Sequence, residues 1–153
     1  MGITRVVALA MMALCLLAGC GTTSLLRGAR PIALAAVLFV TRCEGLGGPE
    51  GERKLHDALV GEIRRRGLLC EDAAATKLGV WLTVAERIRF SPEGRVYRYD
   101  CDVLIASAKG DEEPEKVLER SFTVDFCCRD YLVVRKAIVN RLGDLVEEAA
   151  GKI

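Results

Sequence analysis

Hydrophobic residues follow two different spacings in this chain, and each spacing predicts a different kind of element. Residues 32–41 are almost all apolar, which predicts a strand buried on both faces. Residues 78–90, 95–106 and 117–128 alternate between apolar and polar positions, as strands with one packed face do. The sequence Ser-Pro-Glu-Gly at positions 91–94 predicts a tight turn, so the first two alternating segments form an antiparallel hairpin.

Two further segments repeat their apolar residues at helical intervals. The first, residues 50–66, has acidic residues at its start, arginines at its end, and Gly67 in position to stop it. The second follows Asp130, which can cap it, and Gly151 ends it. Its apolar stripe consists of Val134, Ile138, Leu142, Leu145 and Ala149. We therefore expect two helices with one apolar stripe each.

The predicted order of elements is β-α-β-β-β-α, which indicates an α/β (α+β) two-layer sandwich. Two helices cover one face of a four-stranded mixed sheet. If the first helix connects two parallel strands, then strands one, two and four share a direction. Cys43 and the pair Cys127 and Cys128 then lie at the same sheet edge. A disulfide from Cys43 to Cys127 or Cys128 is one interpretation, and burial as small hydrophobic residues is the other.

The N-terminal segment has the parts of a secretory signal: one positive charge at Arg5, then an apolar run over residues 6–17. It ends in Leu17-Ala18-Gly19-Cys20, which resembles the bacterial lipobox. The resemblance implies that the peptide before Cys20 is removed and that this cysteine is lipidated. An ordinary signal peptide or a membrane helix is the alternative, although the apolar run is shorter than the roughly 20 residues that a spanning helix needs.

These features divide the chain into three parts. Residues 1–19 form a lipoprotein signal peptide, residues 20–30 a lipidated cysteine with a flexible linker, and residues 31–153 a single sandwich domain. Residue 21 is glycine, whereas an aspartate at this position tends to retain such lipoproteins in the inner membrane. The resemblance therefore favours the outer membrane, with the domain anchored by lipid and facing the periplasm.

Composition excludes several classes of function. The chain has 22 Lys and Arg against 21 Asp and Glu, so its net charge does not indicate a nucleic-acid binder. Seven cysteines include no CxxC pair and no Cys/His cluster, which argues against a metal or redox site. No phosphate-binding loop, nucleophile elbow or dinucleotide fingerprint is present. The lone histidine, His56, is expected on the surface, so we expect no cofactor and no enzyme activity.

Four arginines gather on and around the predicted hairpin tip: Arg87, Arg89, Arg95 and Arg98. Arginine binds phosphate through two parallel hydrogen bonds, so a phosphorylated lipid head group is a conceivable ligand. The alternative is a charged hairpin edge that resists edge-to-edge aggregation.

The mature chain also resembles the lipopolysaccharide-assembly lipoproteins of the LptE type. Three segments carry the resemblance: residues 19–21 with 26–28, residues 58–67 with 71–74, and residues 93–96 with 98–99. It implies a non-enzymatic protein that sits in the lumen of an outer-membrane β-barrel translocon, helps it fold, and contacts lipopolysaccharide. The four hairpin arginines would then bind lipid phosphate.

Two other classes of envelope lipoprotein stay open. The sequence Asp-Tyr-Leu-Val at positions 130–133, followed by a long helix, is also similar to auxiliary lipoproteins of lipid-transport ABC systems of the PqiC type. Another periplasmic binding or activator lipoprotein, such as a peptidoglycan-synthase activator, is the third interpretation. A long linker after the lipid cysteine would favour such an activator. The predicted linker here is short, which counts against this interpretation.

Overall fold

A computed structural model describes residues 31–43, 45–71, 75–108 and 113–153. The predicted signal peptide, the linker and the lipidated Cys20 lie outside the described residues. Neither helix of the described part is long and apolar enough to cross a membrane.

The described residues form six elements, which occur in the predicted order. They are β1 (Ile32–Thr41), α1 (Gly48–Arg65), β2 (Thr76–Ser91), β3 (Gly94–Ala108), β4 (Glu115–Phe126) and α2 (Tyr131–Ala150). The predicted α/β (α+β) two-layer sandwich is therefore confirmed, with two helices and one four-stranded mixed sheet.

The four strands lie side by side in chain order, β1-β2-β3-β4. β1 is parallel to β2, whereas β2 with β3 and β3 with β4 are antiparallel. Strands one, two and four thus share a direction, as predicted. A single parallel bridge between Ile32 and Leu69 adds one residue beside the start of β1.

One hydrophobic core lies between the helices and one face of the sheet. Val80, Leu82 and Val84 of β2 are almost fully buried, which confirms the alternation predicted for that strand. The prediction that the first strand is buried on both faces is wrong. Leu38 is 50% exposed and Val40 is 52% exposed, because β1 is an outer strand and neither described helix covers this face of it.

The helix boundaries follow from local chemistry. α1 begins at Gly48, slightly earlier than predicted, because Pro49 is tolerated in a first turn that has no hydrogen bond to lose. Gly67, at φ +70°, lies in the left-handed region just after α1, as expected of a stop residue. Asp130 Oδ1 accepts hydrogen bonds from the backbone N–H of Leu132 at 3.0 Å and of Val133 at 3.4 Å, which confirms the predicted cap.

The prediction that the third alternating strand extends to residue 128 is wrong. β4 ends at Phe126, and both Cys127 and Cys128 are exposed. The chain leaves the sheet here because the next residues lead into the capped start of α2. Cys43 follows β1 and is buried. Because β1 and β4 are the two outer strands and run in the same direction, Cys43 and the pair Cys127 and Cys128 lie at the same end of the sheet but on opposite sides of it.

Candidate functional site on the β2–β3 hairpin

The β2–β3 hairpin extends past its neighbouring strands. Its register continues to the pair Ser91 and Gly94, whereas β1 ends opposite Val84 and β4 ends opposite Tyr97. Gly94 closes the turn at φ +136°, a conformation that L side chains rarely adopt. The tip is therefore a two-stranded ribbon without a sheet neighbour on either side in the described part of the chain.

The tip exposes an aromatic ring beside a cation. Phe90 is 77% exposed, and the Arg95 guanidinium carbon lies 5.8 Å from the centre of its ring. Ile88, on the same face of the ribbon, is 45% exposed. These side chains point to the helix side of the sheet, but they lie beyond the ends of β1 and β4. An exposed apolar group of this kind often marks a contact surface.

Two of the four predicted ligand-binding arginines already have carboxylate partners. Arg87 and Arg98 face each other across the hairpin. Arg87 Nε lies 3.0 Å from Asp100 Oδ2. Arg98 donates through Nε and Nη2 to the two Oδ atoms of Asp125, at 2.9 and 2.7 Å, and these bonds lower the pKa of that carboxyl group. A ligand phosphate would have to compete with both carboxylates.

The other two arginines are differently placed. Arg89 lies on the same face as Arg87, two residues closer to the tip, whereas Arg95 lies on the opposite face. Neither Arg89 nor Arg95 forms an ion pair with another residue that the structure describes. The predicted cluster of four is thus split three to one between two faces. Arg89 and Arg95 are the two members without a carboxylate at ion-pair distance, and the charge of Arg89 acts at longer range on Asp125.

The face of the sheet opposite the helices, here called the open face, continues from these arginines into an apolar area. Leu38, Trp81 and Leu104 form one row across β1, β2 and β3. The Trp81 ring lies over Gly79, where an added Cβ would come within 2.7 Å of the indole. A depression of about 300 Å³ adjoins Trp81 and is lined by residues of β2, β3 and β4. This face combines apolar and charged areas as docking surfaces do.

Asp100 and Asp102 are two carboxylates of β3 that lie on the open face and accept hydrogen bonds from hydroxyl groups of β4. Ser121 Oγ donates to Asp102 at 2.6 Å, and Thr123 Oγ1 donates to Asp100 at 3.2 Å. Both groups are thus held by the neighbouring strand β4. Among the described residues, no group of three or more His, Cys, Asp and Glu could hold a metal ion.

A polar network that sequence reasoning missed lies below the hairpin, on the helix side. Glu86 is only 9% exposed and accepts hydrogen bonds from three residues. Tyr99 donates at 3.2 Å and Cys43 at 3.5 Å, while Arg129 donates through Nε and Nη2 at 2.9 and 3.1 Å. The signal that could have revealed it is parity, because Glu86 continues the inward-facing positions of β2 and needs a partner there.

The network keeps its thiol and phenols protonated. Burial, together with the charge of Glu86, raises the pKa of Tyr99 and of Cys43. Burial and a hydrogen bond with Cys43 raise the pKa of Tyr131 to about 12. The Arg129 guanidinium carbon lies 5.4 Å from the Tyr97 ring centre and 6.0 Å from that of Tyr131. The network therefore joins the end of β1 and the base of the β2–β3 hairpin to the start of α2.

Cys43 is a thiol that donates a hydrogen bond to Glu86, and Cys127 and Cys128 are exposed thiols. A disulfide between Cys43 and either of the other two would require the Glu86 contact to be given up. The pairing stays a prediction, which peptide mapping of the unreduced protein can test.

Comparison with known proteins adds evidence on the fold. No protein-family model matches the chain, and no curated protein matches it significantly. The structure is similar to that of a hypothetical protein from Chlamydia trachomatis, with 10% identity and a TM-score of 0.52, over 81% of this chain and 98% of that one. At this identity the similarity establishes a shared fold.

Two further solved structures match more loosely. A minor lipoprotein from Acinetobacter baumannii has 12% identity and a TM-score of 0.46, covering 74% of this chain and 92% of its own. The rare lipoprotein B from Shewanella oneidensis has 14% identity and a TM-score of 0.33, covering 75% and 87%.

Proposed function

We propose that this chain is a non-enzymatic outer-membrane lipoprotein, anchored through Cys20, that assists lipopolysaccharide assembly or transport by docking with an outer-membrane β-barrel. The anchor rests on the lipobox-like sequence at positions 17–20. Two or more acyl chains hold a protein firmly on a bilayer, so the domain stays within a linker's length of the membrane. A partner in the same membrane is then always close by.

The single observation that carries the docking proposal is the projecting tip of the β2–β3 hairpin. It leaves Phe90 77% exposed at a point where neither β1 nor β4 extends. A narrow ribbon with an aromatic end fits a concave partner better than a flat one, because both of its faces can make contact. The lumen of a β-barrel is such a surface.

The charges on the tip suit a phosphorylated ligand. Arg89 and Arg95 lie on opposite faces of the ribbon, and neither lies within ion-pair distance of a carboxylate among the described residues. Phosphate groups of a lipid can accept paired hydrogen bonds from such guanidinium groups. The same tip could thus contact both the barrel wall and the lipid within it.

Site-specific photocrosslinking in living cells tests this proposal. A photoreactive amino acid at Phe90 should crosslink to an outer-membrane β-barrel protein. The matched control is the same amino acid at Leu132, which is also strongly exposed, at 72%, but lies on α2. A barrel adduct from position 90 and not from position 132 supports the proposal.

Two results would count against it. Adducts from position 90 with components of an ABC-type lipid transporter would favour the auxiliary-lipoprotein alternative, as would adducts with its membrane-anchored tunnel. Equal adducts from positions 90 and 132 would mean that the hairpin tip has no special role in docking.

A further inference from the structure

A second surface, distinct from the hairpin, lies between the two helices. A groove of about 740 Å³ runs along α1 and the first half of α2, and we call it the inter-helix groove. The residues used below are Lys54 and Ala58 of α1, and Leu132, Arg135, Lys136 and Val139 of α2. Its volume falls within the range of about 300–1,000 Å³ that is usual for small-molecule sites.

One wall of the groove is apolar and unusually exposed. Leu132, in the first turn of α2, is 72% exposed, whereas Val139, two turns further on, is 5% exposed. Ala58 of α1 also lines the groove and is half-buried. Burial of a large aliphatic side chain is favourable because it removes apolar surface from water, and the fold leaves most of this stabilisation unrealised at Leu132. An apolar ligand segment lying from Leu132 to Val139 would recover it.

Two cations on the rim of the groove, Arg135 and Lys136, lie beyond ion-pair distance of the described carboxylates, although the charge of Arg135 acts at longer range on Glu50. Lys54 Nζ is held by Glu50 Oε1 at 2.5 Å, and Arg65 is held by Glu62 at 2.6 Å. Neither Arg135 nor Lys136 forms an ion pair with any residue of the described ranges. Two adjacent cations of this kind, beside an apolar wall, complement an anionic head group.

The acidic residues of the lining do not cancel this charge. Glu62 is engaged by both Arg65 and Arg66, at 2.6 and 2.7 Å. Asp57 lies 3.4 Å from the imidazole Nδ1 of its neighbour His56 and is the carboxylate that opposes an anion in the groove. The groove therefore has an excess of positive charge, which Arg135 and Lys136 of α2 carry.

We infer that the inter-helix groove binds an anionic amphiphile with a single acyl chain. The chain lies against Ala58, Leu132 and Val139, and the phosphate or carboxylate head contacts Arg135 and Lys136. The inference does not depend on the hairpin or on a barrel partner, because no residue of the groove belongs to β2 or β3.

Native mass spectrometry of the full-length lipidated protein, released from a non-ionic detergent, tests the inference. Lysophosphatidylglycerol and palmitate distinguish a phosphate from a carboxylate head, and binding of either one supports the proposal. Lysophosphatidylcholine, whose head has no net charge, should bind about tenfold more weakly, as expected for the loss of one charge-assisted contact.

Variants decide whether the groove is the site. Arg135→Glu with Lys136→Glu should weaken binding of the anionic probe by about tenfold or more. Leu132→Gln changes an exposed side chain without altering the charge, and it should weaken the binding of all the probes. The matched control is Lys116→Glu with Lys152→Glu, which alters the net charge equally at two exposed positions outside both the groove and the hairpin, and should leave binding unchanged.

Three outcomes would overturn the inference. One is an equal loss of binding in the groove variant and in the Lys116→Glu/Lys152→Glu control, which would indicate attraction by net charge alone. Another is binding of the anionic probes that is unchanged both by Leu132→Gln and by Arg135→Glu with Lys136→Glu. The third is binding of an 18-residue acidic amphipathic peptide when neither anionic amphiphile binds, because the groove would then be a peptide site.

Discussion

Glu86 and Arg129 form a two-pronged ion pair, with Nε–Oε1 at 2.9 Å and Nη2–Oε2 at 3.1 Å, that fastens the segment before α2 to the base of the hairpin. Arg129 directly follows Cys127 and Cys128 in the sequence. The Glu86–Arg129 ion pair therefore also holds the segment that carries these two cysteines. The hairpin tip thus projects from a base held by a charged network and by hydrophobic packing.

The Glu86 network predicts a loss of stability in Glu86→Ala. The hydroxyl of Tyr99 belongs to a residue that is 0% exposed and would lose its acceptor. An unsatisfied buried hydroxyl costs about 1–3 kcal/mol, which chemical denaturation should detect as a lower free energy of unfolding. In a Tyr99→Phe background, Glu86→Ala should cost less. Equal costs in both backgrounds would contradict the hydrogen bond's role.

A second ion-pair network predicts how stability depends on pH. Hydrogen bonds from Arg65 and then Arg66 lower the pKa of Glu62 from 4.5 to about 2. Because the folded pKa is depressed, this stabilisation is fully present above pH 4.5 and is lost as the pH falls toward 2. Denaturation of wild type and Glu62→Gln should therefore differ by about 1–2 kcal/mol at neutral pH, after solvent screening. If the two proteins still differed by the same free energy of unfolding at pH 2, the stabilisation would not come from the ionised Glu62 carboxylate.

Two glycines of α1 predict opposite effects of the same substitution. A Cβ on Gly51 would lie 2.2 Å from the carbonyl oxygen of Leu46, so the backbone must move. Gly51→Ala should destabilise the protein by about 1–3 kcal/mol. Gly61 has nothing within 4 Å of such a Cβ, and Gly61→Ala should stabilise by up to about 1 kcal/mol through helix propensity. Thermal unfolding of both variants measures the contrast, and the same sign in both would count against it.

The split of the hairpin arginines predicts unequal contributions to lipid binding. Purified lipopolysaccharide should bind about tenfold more weakly to Arg89→Ala/Arg95→Ala, because these cations have no carboxylate partner. The pair Arg87→Ala/Arg98→Ala should have a smaller effect, since these charges are already satisfied by Asp100 and Asp125. Unchanged binding after substitution of all four would remove the hairpin from the lipid site.

Much of the fold could be predicted because alternation and helical spacing are local properties. The inward set Val80, Leu82 and Val84 follows from parity alone. Strand order does not, and the exposure of Leu38 on an outer strand depends on that order. The Glu86 network was missed because its partner Arg129 is 43 residues away along the chain. The pairing of Arg87 and Arg98 with carboxylates likewise depends on the register between strands.

The most direct test of the central claim is an affinity pull-down of the lipidated protein from mild-detergent envelope extracts, followed by mass spectrometry. Our account predicts a large outer-membrane β-barrel in stoichiometric amount. It also predicts loss of that barrel in Phe90→Asp and its retention in Leu132→Asp. Recovery of ABC-transporter components, or of no stable partner, would contradict docking with a barrel.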